Sequence, residues 1–127
     1  MKHLILVFIG GGLGSLARYG TGKASSVWPS NFPYGTLTAN ILACLILGVF
    51  TGWAAFRTPD SAATYRAFIA VGFCGGFSTF STFSNDTIQL MAANRWTDAV
   101  FNIFASLISC FCATVLGMWL GKQLLNV

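Results

Sequence analysis

The sequence predicts an all-α membrane protein, a single domain over residues 1–127 with four transmembrane helices and a break in the third. Three observations carry this expectation. Of 127 residues, 55% are apolar and 8% charged, against about a quarter charged in an ordinary soluble domain. Four stretches, Leu4 to Gly22, Tyr34 to Phe56, Ala67 to Met91 and Ala99 to Leu124, are each long enough to cross roughly 30 Å of hydrocarbon at 1.5 Å per residue. The third stretch interrupts its apolar character with Gly72, Gly75 and Gly76, followed by a near-threefold Phe-Ser-Thr repeat from Phe77 to Ser84.

Helix one opens behind Lys2, and the run resembles a secretory leader. Its length, Arg18 and its ladder of glycines favour a mature span instead. Gly10 and Gly14 lie four apart, a spacing of small residues that lets helices approach closely in lipid. The glycine run follows no strand and precedes no Lys-Ser/Thr pair, so it is not a phosphate-binding loop. Arg18 has two readings, a side chain snorkelling to the headgroups or a fixed positive charge at the mouth of an anion path.

The connection from Ser25 to Pro33 holds Trp28, two prolines and Asn31, as expected of an interfacial turn with an aromatic belt residue. Helix two begins with Tyr34-Gly35-Thr36-Leu37-Thr38-Ala39-Asn40, placing Thr36 and Asn40 on one face. Asn40 there is either interhelical glue or a donor to a ligand. Gly48 and Gly52 offer a second close-packing face.

In helix three each glycine costs about 1 kcal/mol against Ala, which fits a break. A break in hydrocarbon is tolerated only where protein covers it or a polar cavity meets it, because the freed carbonyls need partners. A desolvated Na⁺ can serve as that partner without any acidic side chain. Beyond it, Phe77, Phe80 and Phe83 fall on a tilted stripe flanked by Ser78, Ser81 and Ser84. The stripe is either a packed seam whose hydroxyls bond to the preceding turn, or a path on which electropositive ring edges and hydroxyl donors contact an anion.

Helix four places Asn102, Ser106, Cys110 and Thr114 at strict four-residue spacing, a polar track with Ser109 just off it. The acids are Asp60, Asp86 and Asp98. Asp60 and Asp98 are expected in loops. Asp86 alone could serve proton coupling, although a capping or interface role suits it better.

Cys44, Cys74, Cys110 and Cys112 all fall within spans as small apolar residues, and the lone His3 assembles neither a metal cluster nor a triad, so enzymatic chemistry is not expected. The basic residues are scattered at helix ends, which argues against nucleic acid as a partner. Four spans put both termini on one face with Lys2, Arg57, Arg66 and Lys122, opposite Lys23, Arg95 and Arg18. That near balance gives the positive-inside rule little purchase, so insertion in both orientations, and with it an antiparallel homodimer, is expected.

Over essentially its whole length the chain resembles the CrcB/Fluc family of small fluoride channels. The resemblance rests on Gly11-x-x-Gly14-x-x-x-Arg18-Tyr19, on Gly35-Thr36-Leu37-x-x-Asn40, and above all on the run from Gly72 through Gly75-Gly76-Phe77 to Ser84. It implies an antiparallel, dual-topology homodimer in the bacterial inner membrane, two pores, passive fluoride export and a central Na⁺ between subunits. By position it implies Phe80 and Phe83 as pore-facing rings, Asn40 as the donor at a pore end and Arg18 as the vestibule charge. Ser81, Thr82, Ser106 and Thr114 fall on the polar lining, and Gly75 and Ser78 match carbonyl ligands for Na⁺. Phe77 is left to packing, and Asn102 stands where the family pattern has Tyr. Two other readings compete: a proton-coupled exporter of cationic drugs, which lacks its expected acid in helix one, and a structural subunit without conduction.

Overall fold

The computed structural model describes residues 1–27 and 31–124, with backbone alone for 59–61. The expected belt residue Trp28 lies outside the described residues. The elements are α1 (Lys2–Ser25), α2 (Tyr34–Ala54), a short α3 (Pro59–Tyr65), a π-helical segment (Arg66–Cys74), α4 (Gly75–Phe77), α5 (Phe80–Ala92) and α6 (Trp96–Gln123). Among the described residues four helices are long and apolar enough to cross a membrane, the third running from Ala62 to Ala92. Asp60, expected in a loop, sits on α3.

Glycines decide which helices touch. α1 lies along the π-helical segment, and α2 lies along α6. A Cβ on Gly10 would strike the Phe68 carbonyl, and one on Gly14 the carbonyl of Phe73. The α2–α6 contact is reciprocal: Cβ atoms on Gly48 and Gly52 would strike the carbonyls of Thr114 and Met118, and Cβ atoms on Gly117 and Gly121 those of Leu45 and Val49. Without a hydrophobic force between helices in lipid, such backbone-to-backbone approach supplies the packing energy. The expected roles of Gly10, Gly14, Gly48 and Gly52 are therefore met, with Gly117 and Gly121 as partners the sequence reading did not name.

The glycines of the third span do not break it. Gly75 is helical (φ −63°, ψ −35°), and Gly76 is small because a Cβ there would strike the Gly11 carbonyl. The helix stops two residues later, at Ser78 and Thr79, both extended. Phe77 consequently belongs to the first half, buried in a core with Ala39 and Ala43, its ring 5.5 Å from that of Phe73 and tilted 59° to it. It is thus cut off from the expected stripe with Phe80 and Phe83, and packs as assigned.

The turn from α5 to α6 is closed by Asn94 in the left-handed region (φ 58°). The Arg95 and Asn94 amides bond back to Leu90 and Met91 at 2.9 Å, the Schellman pattern that ends helices. Arg95 then binds Asp98 at 2.8 Å and the Asn31 carbonyl at 2.9 Å. This ties the α1–α2 connection to the α5–α6 turn, and Asp98, expected in a loop, instead lies in the first turn of α6, where a negative charge suits the helix dipole.

Gly52→Val is expected to lower unfolding stability by about 1–3 kcal/mol, as for an overpacked core, because it meets the Met118 backbone. Gly20→Ala, with nothing within 4 Å of the new Cβ, should be neutral or slightly stabilising. Thermal unfolding in detergent compares them, and equal melting of Gly52→Val and wild type would show that the close approach carries no stability.

Candidate functional site

The interruption at Ser78 (φ −75°, ψ 155°) and Thr79 (φ −154°, ψ 111°) is built by hydroxyl residues next to one amide side chain. Ser78 donates both its N–H and its hydroxyl to the Cys74 carbonyl at 2.9 Å. The Thr79 N–H donates to Asn40 Oδ1 at 2.7 Å, while Asn40 Nδ2 donates back to the Thr79 carbonyl at 3.3 Å. Thr79 Oγ1 accepts the Thr82 N–H at 3.2 Å, capping α5. Such local hydroxyl and amide bonds compete with the helical ladder.

In an α-helix each carbonyl accepts from the amide four residues on. The Gly75 carbonyl would need the Thr79 N–H, which Asn40 holds; the Ser78 carbonyl would need the Thr82 N–H, which Thr79 holds. The Gly75 and Ser78 carbonyls are therefore among those that the end of the helix at Phe77 leaves without helical donors. Gly75 is exposed, with nothing within 4 Å of a notional Cβ.

Beyond the break, Phe80 projects outward, 77% exposed, with Phe83 beside it at 5.6 Å between ring centroids and 43° between planes. Ser81 and Thr82 are exposed alongside. Thr79 Oγ1 lies 3.0 Å from the Thr82 hydroxyl and 3.2 Å from that of Ser81, so three hydroxyls meet at the start of α5. Thr79 and Thr82 also line a cavity of about 340 Å³ with Arg18, Tyr19 and Thr36. Arg18, half-buried, thus stands at a polar hollow reaching the break.

α2 and α6 brace this arrangement. Thr36 donates to Asp86 at 2.6 Å, so the face shared by Thr36 and Asn40 meets the third span on both sides of the restart. Asp86 is an interface residue, as its sequence position suggested. On α6 Asn102, 2% exposed, donates to Thr87 at 2.9 Å, and Thr87 donates to the Phe83 carbonyl at 2.8 Å, carrying support from α6 to the ring turn. Lower on the same face Ser106 is buried with a hydroxyl that has no hydrogen-bond partner, whereas Thr114 spends its proton on the Cys110 carbonyl at 2.9 Å.

Of the residues singled out from the sequence, the structure gathers Asn40, Gly75, Ser78, Phe80, Ser81, Thr82 and Phe83 around the break, with Arg18 in the adjoining cavity. Ser106 and Thr114 lie along α6. Asn40 serves as interhelical glue, with one of its N–H groups committed to the Thr79 carbonyl. Thr79, Thr87 and Thr36 were not assigned roles in advance. A Thr directly before a helical restart is a capping signal that could have found Thr79.

Four apolar spans around a mid-span interruption, where hydroxyls, freed carbonyls and an arginine-lined hollow converge, define a multi-pass membrane protein organised about a polar site. The chain belongs to the CrcB family: residues 5–118 match the family described as CrcB-like protein, Camphor Resistance (CrcB). It is 38% identical over 120 residues to the fluoride-specific ion channel FluC of Escherichia coli strain K12, covering 94% of each chain. It is 37% identical to the fluoride-specific ion channels FluC of Phocaeicola vulgatus, over 96% of this chain and 100% of that one, and of Bacteroides fragilis strain YCH46, over 97% and 98%. These relatives are ion channels, not enzymes, and this chain is likewise a multi-pass bacterial membrane protein without enzymatic activity.

Asn40→Ala strips the Thr79 amide of its acceptor, and an unmet buried N–H costs about 1–3 kcal/mol. Hydrogen exchange at Thr79 should accelerate and the protein should melt lower, with Asn40→Asp, which keeps an acceptor, falling between. Unchanged exchange at Thr79 in Asn40→Ala would show that another group holds the break.

Proposed function

We propose that this chain is a fluoride channel that exports fluoride passively from the cytoplasm, working as an antiparallel homodimer with two pores and a central structural Na⁺. The observation that carries this reading is the exposed trio Phe80, Ser81 and Thr82 in mid-span, beside the Arg18 cavity. Hydroxyls facing lipid at that depth would be costly, so they need a polar path or a partner surface. Support comes also from the relatives named as fluoride-specific channels.

The chemistry required is replacement of a dense hydration shell. A small anion leaves water only where closely spaced donors substitute for it. Ser81 and Thr82 supply hydroxyls, Asn40 its second N–H, and the phenyl edges of Phe80 and Phe83 a weak positive flank. Arg18 raises anion concentration at the mouth. Along α6 the donor is Ser106, whose buried hydroxyl is unpaired; Thr114, committed to Cys110, offers a lone pair and serves packing. Narrowness between the rings rejects larger halides.

The Gly75 and Ser78 carbonyls fit Na⁺, since both lack helical donors and carry no charge. A twofold axis in the membrane plane would present four such oxygens to one ion. The ion supplies structure, holding two breaks together. A proton-coupled exporter fits less well, because Asp86, its one intramembrane acid, accepts a hydrogen bond from Thr36.

Liposomes loaded with fluoride and containing the purified protein should release it rapidly when a counter-ion path is opened, and should retain chloride. Release no faster than from empty liposomes would remove the channel reading. Phe80→Ile and Phe83→Ile should slow fluoride while leaving assembly intact. Ser106→Ala should reduce flux about tenfold, the worth of one hydrogen bond to a charged group, and Thr114→Val by no more than about twofold. Exchanging Na⁺ for K⁺ should weaken assembly; an indifferent dimer would argue against the carbonyl site.

A further inference from the structure

At the opposite end of the molecule from the Arg18 cavity, the end of α2 and the start of the third span enclose a second hollow of about 410 Å³. Arg57 and Arg66 stand at it, above walls that include Leu47, Phe50, Ala54 and Ala70. Both arginines are exposed, and among the described residues neither pairs with a carboxylate. Arg57 lies over the Trp53 ring at 5.0 Å, and Trp53 meets Tyr65 edge-on at 5.5 Å. Stacking on a ring face fixes the guanidinium plane while its N–H edges remain available.

Such a hollow suits one chemical class. Guanidinium groups recognise phosphate oxygens in a fork geometry. A Trp–Tyr pair at the end of the spans marks headgroup depth, and small alanines leave a furrow that continues into the hydrocarbon. Lys2 and Lys122 lie at the same end, so four basic residues there face one acid, Asp60. A free phosphate would use the arginines and ignore the apolar walls; a phospholipid would use both. Thr51, also at the hollow, donates its proton to the Leu47 carbonyl and so competes little for the anion.

We infer that the hollow between α2 and the third span is a binding site for an anionic phospholipid, its phosphate held between Arg57 and Arg66 and an acyl chain lying along Leu47 and Ala70. The site is separate from the fluoride path proposed above, and its test does not depend on conduction.

The full-length protein in a neutral detergent would be titrated with short-chain phosphatidylglycerol, with phosphatidylcholine of the same chain length, and with inorganic phosphate. Bound lipid is counted by native mass spectrometry and followed by thermal unfolding. Phosphatidylglycerol should bind and raise the melting temperature, phosphatidylcholine should bind far more weakly, and phosphate alone should leave the melting temperature unchanged. In Arg57→Gln/Arg66→Gln the affinity for phosphatidylglycerol should fall about 30-fold, two residues contributing about fivefold each, whereas Lys122→Gln should change it little. Equal binding of the two lipids, undiminished binding to the double variant, or an equal response to inorganic phosphate would each overturn the site. Should the double variant fail to fold, the comparison among ligands on the wild-type protein decides alone.

Discussion

In hydrocarbon a peptide group without a partner is among the costliest things a chain can carry, and the third span carries several. Everything near the break follows from how the Asn40 side chain meets that cost. With one oxygen and one nitrogen it satisfies both the N–H and the carbonyl of Thr79, acting as a short piece of a neighbouring strand. Because Asn40 takes the Thr79 amide and Thr79 takes that of Thr82, the Gly75 and Ser78 carbonyls are among those the break releases. Bracing by Thr36 on Asp86 and by Asn102 through Thr87 keeps α5 at the angle from which Asn40 can reach.

That bracing rests in turn on close backbone contact. Asn40 is a short side chain, and it spans the gap only because α2, α6, α1 and the π-helical segment lie nearly backbone to backbone. Gly48 and Gly52 against Gly117 and Gly121, with Gly10 and Gly14 against Phe68 and Phe73, set those separations. The π-helical stretch from Arg66 to Cys74 spends extra residues per turn directly before the site, a placement often seen at functional positions.

Much of this could be read from the residues. Four spans followed from apolar run length alone, and the small-residue pairs on α1 and α2 followed from spacing. The place of the break did not. Gly75 and Gly76 suggested it because glycine weakens helices, yet both stay helical, and it is contact with α1 that calls for glycine at Gly76. The interruption falls on Ser78 and Thr79, whose hydroxyls outcompete the ladder only when Asn40, 39 residues away, lies alongside. Periodicity cannot report a long-range bond of that kind. Similarly, the four-residue spacing of Asn102, Ser106 and Thr114 revealed a shared face but not that Thr114 bonds back, Asn102 joins α5 and Ser106 is left alone.

The third span is divided between two packing partners: its first half lies on α1, and α5 lies chiefly on α6. For a chain made from its amino end, this is a statement about timing. The ribosome delivers α1, α2 and the whole third span before the helix that holds α5 in place has emerged. A half-made chain therefore has the freed carbonyls and the Phe80 and Phe83 rings in the bilayer without the brace that orients them. Completion of the break's geometry therefore waits for the last span, which supplies Asn102 and through it the hold on Thr87 and the Phe83 turn.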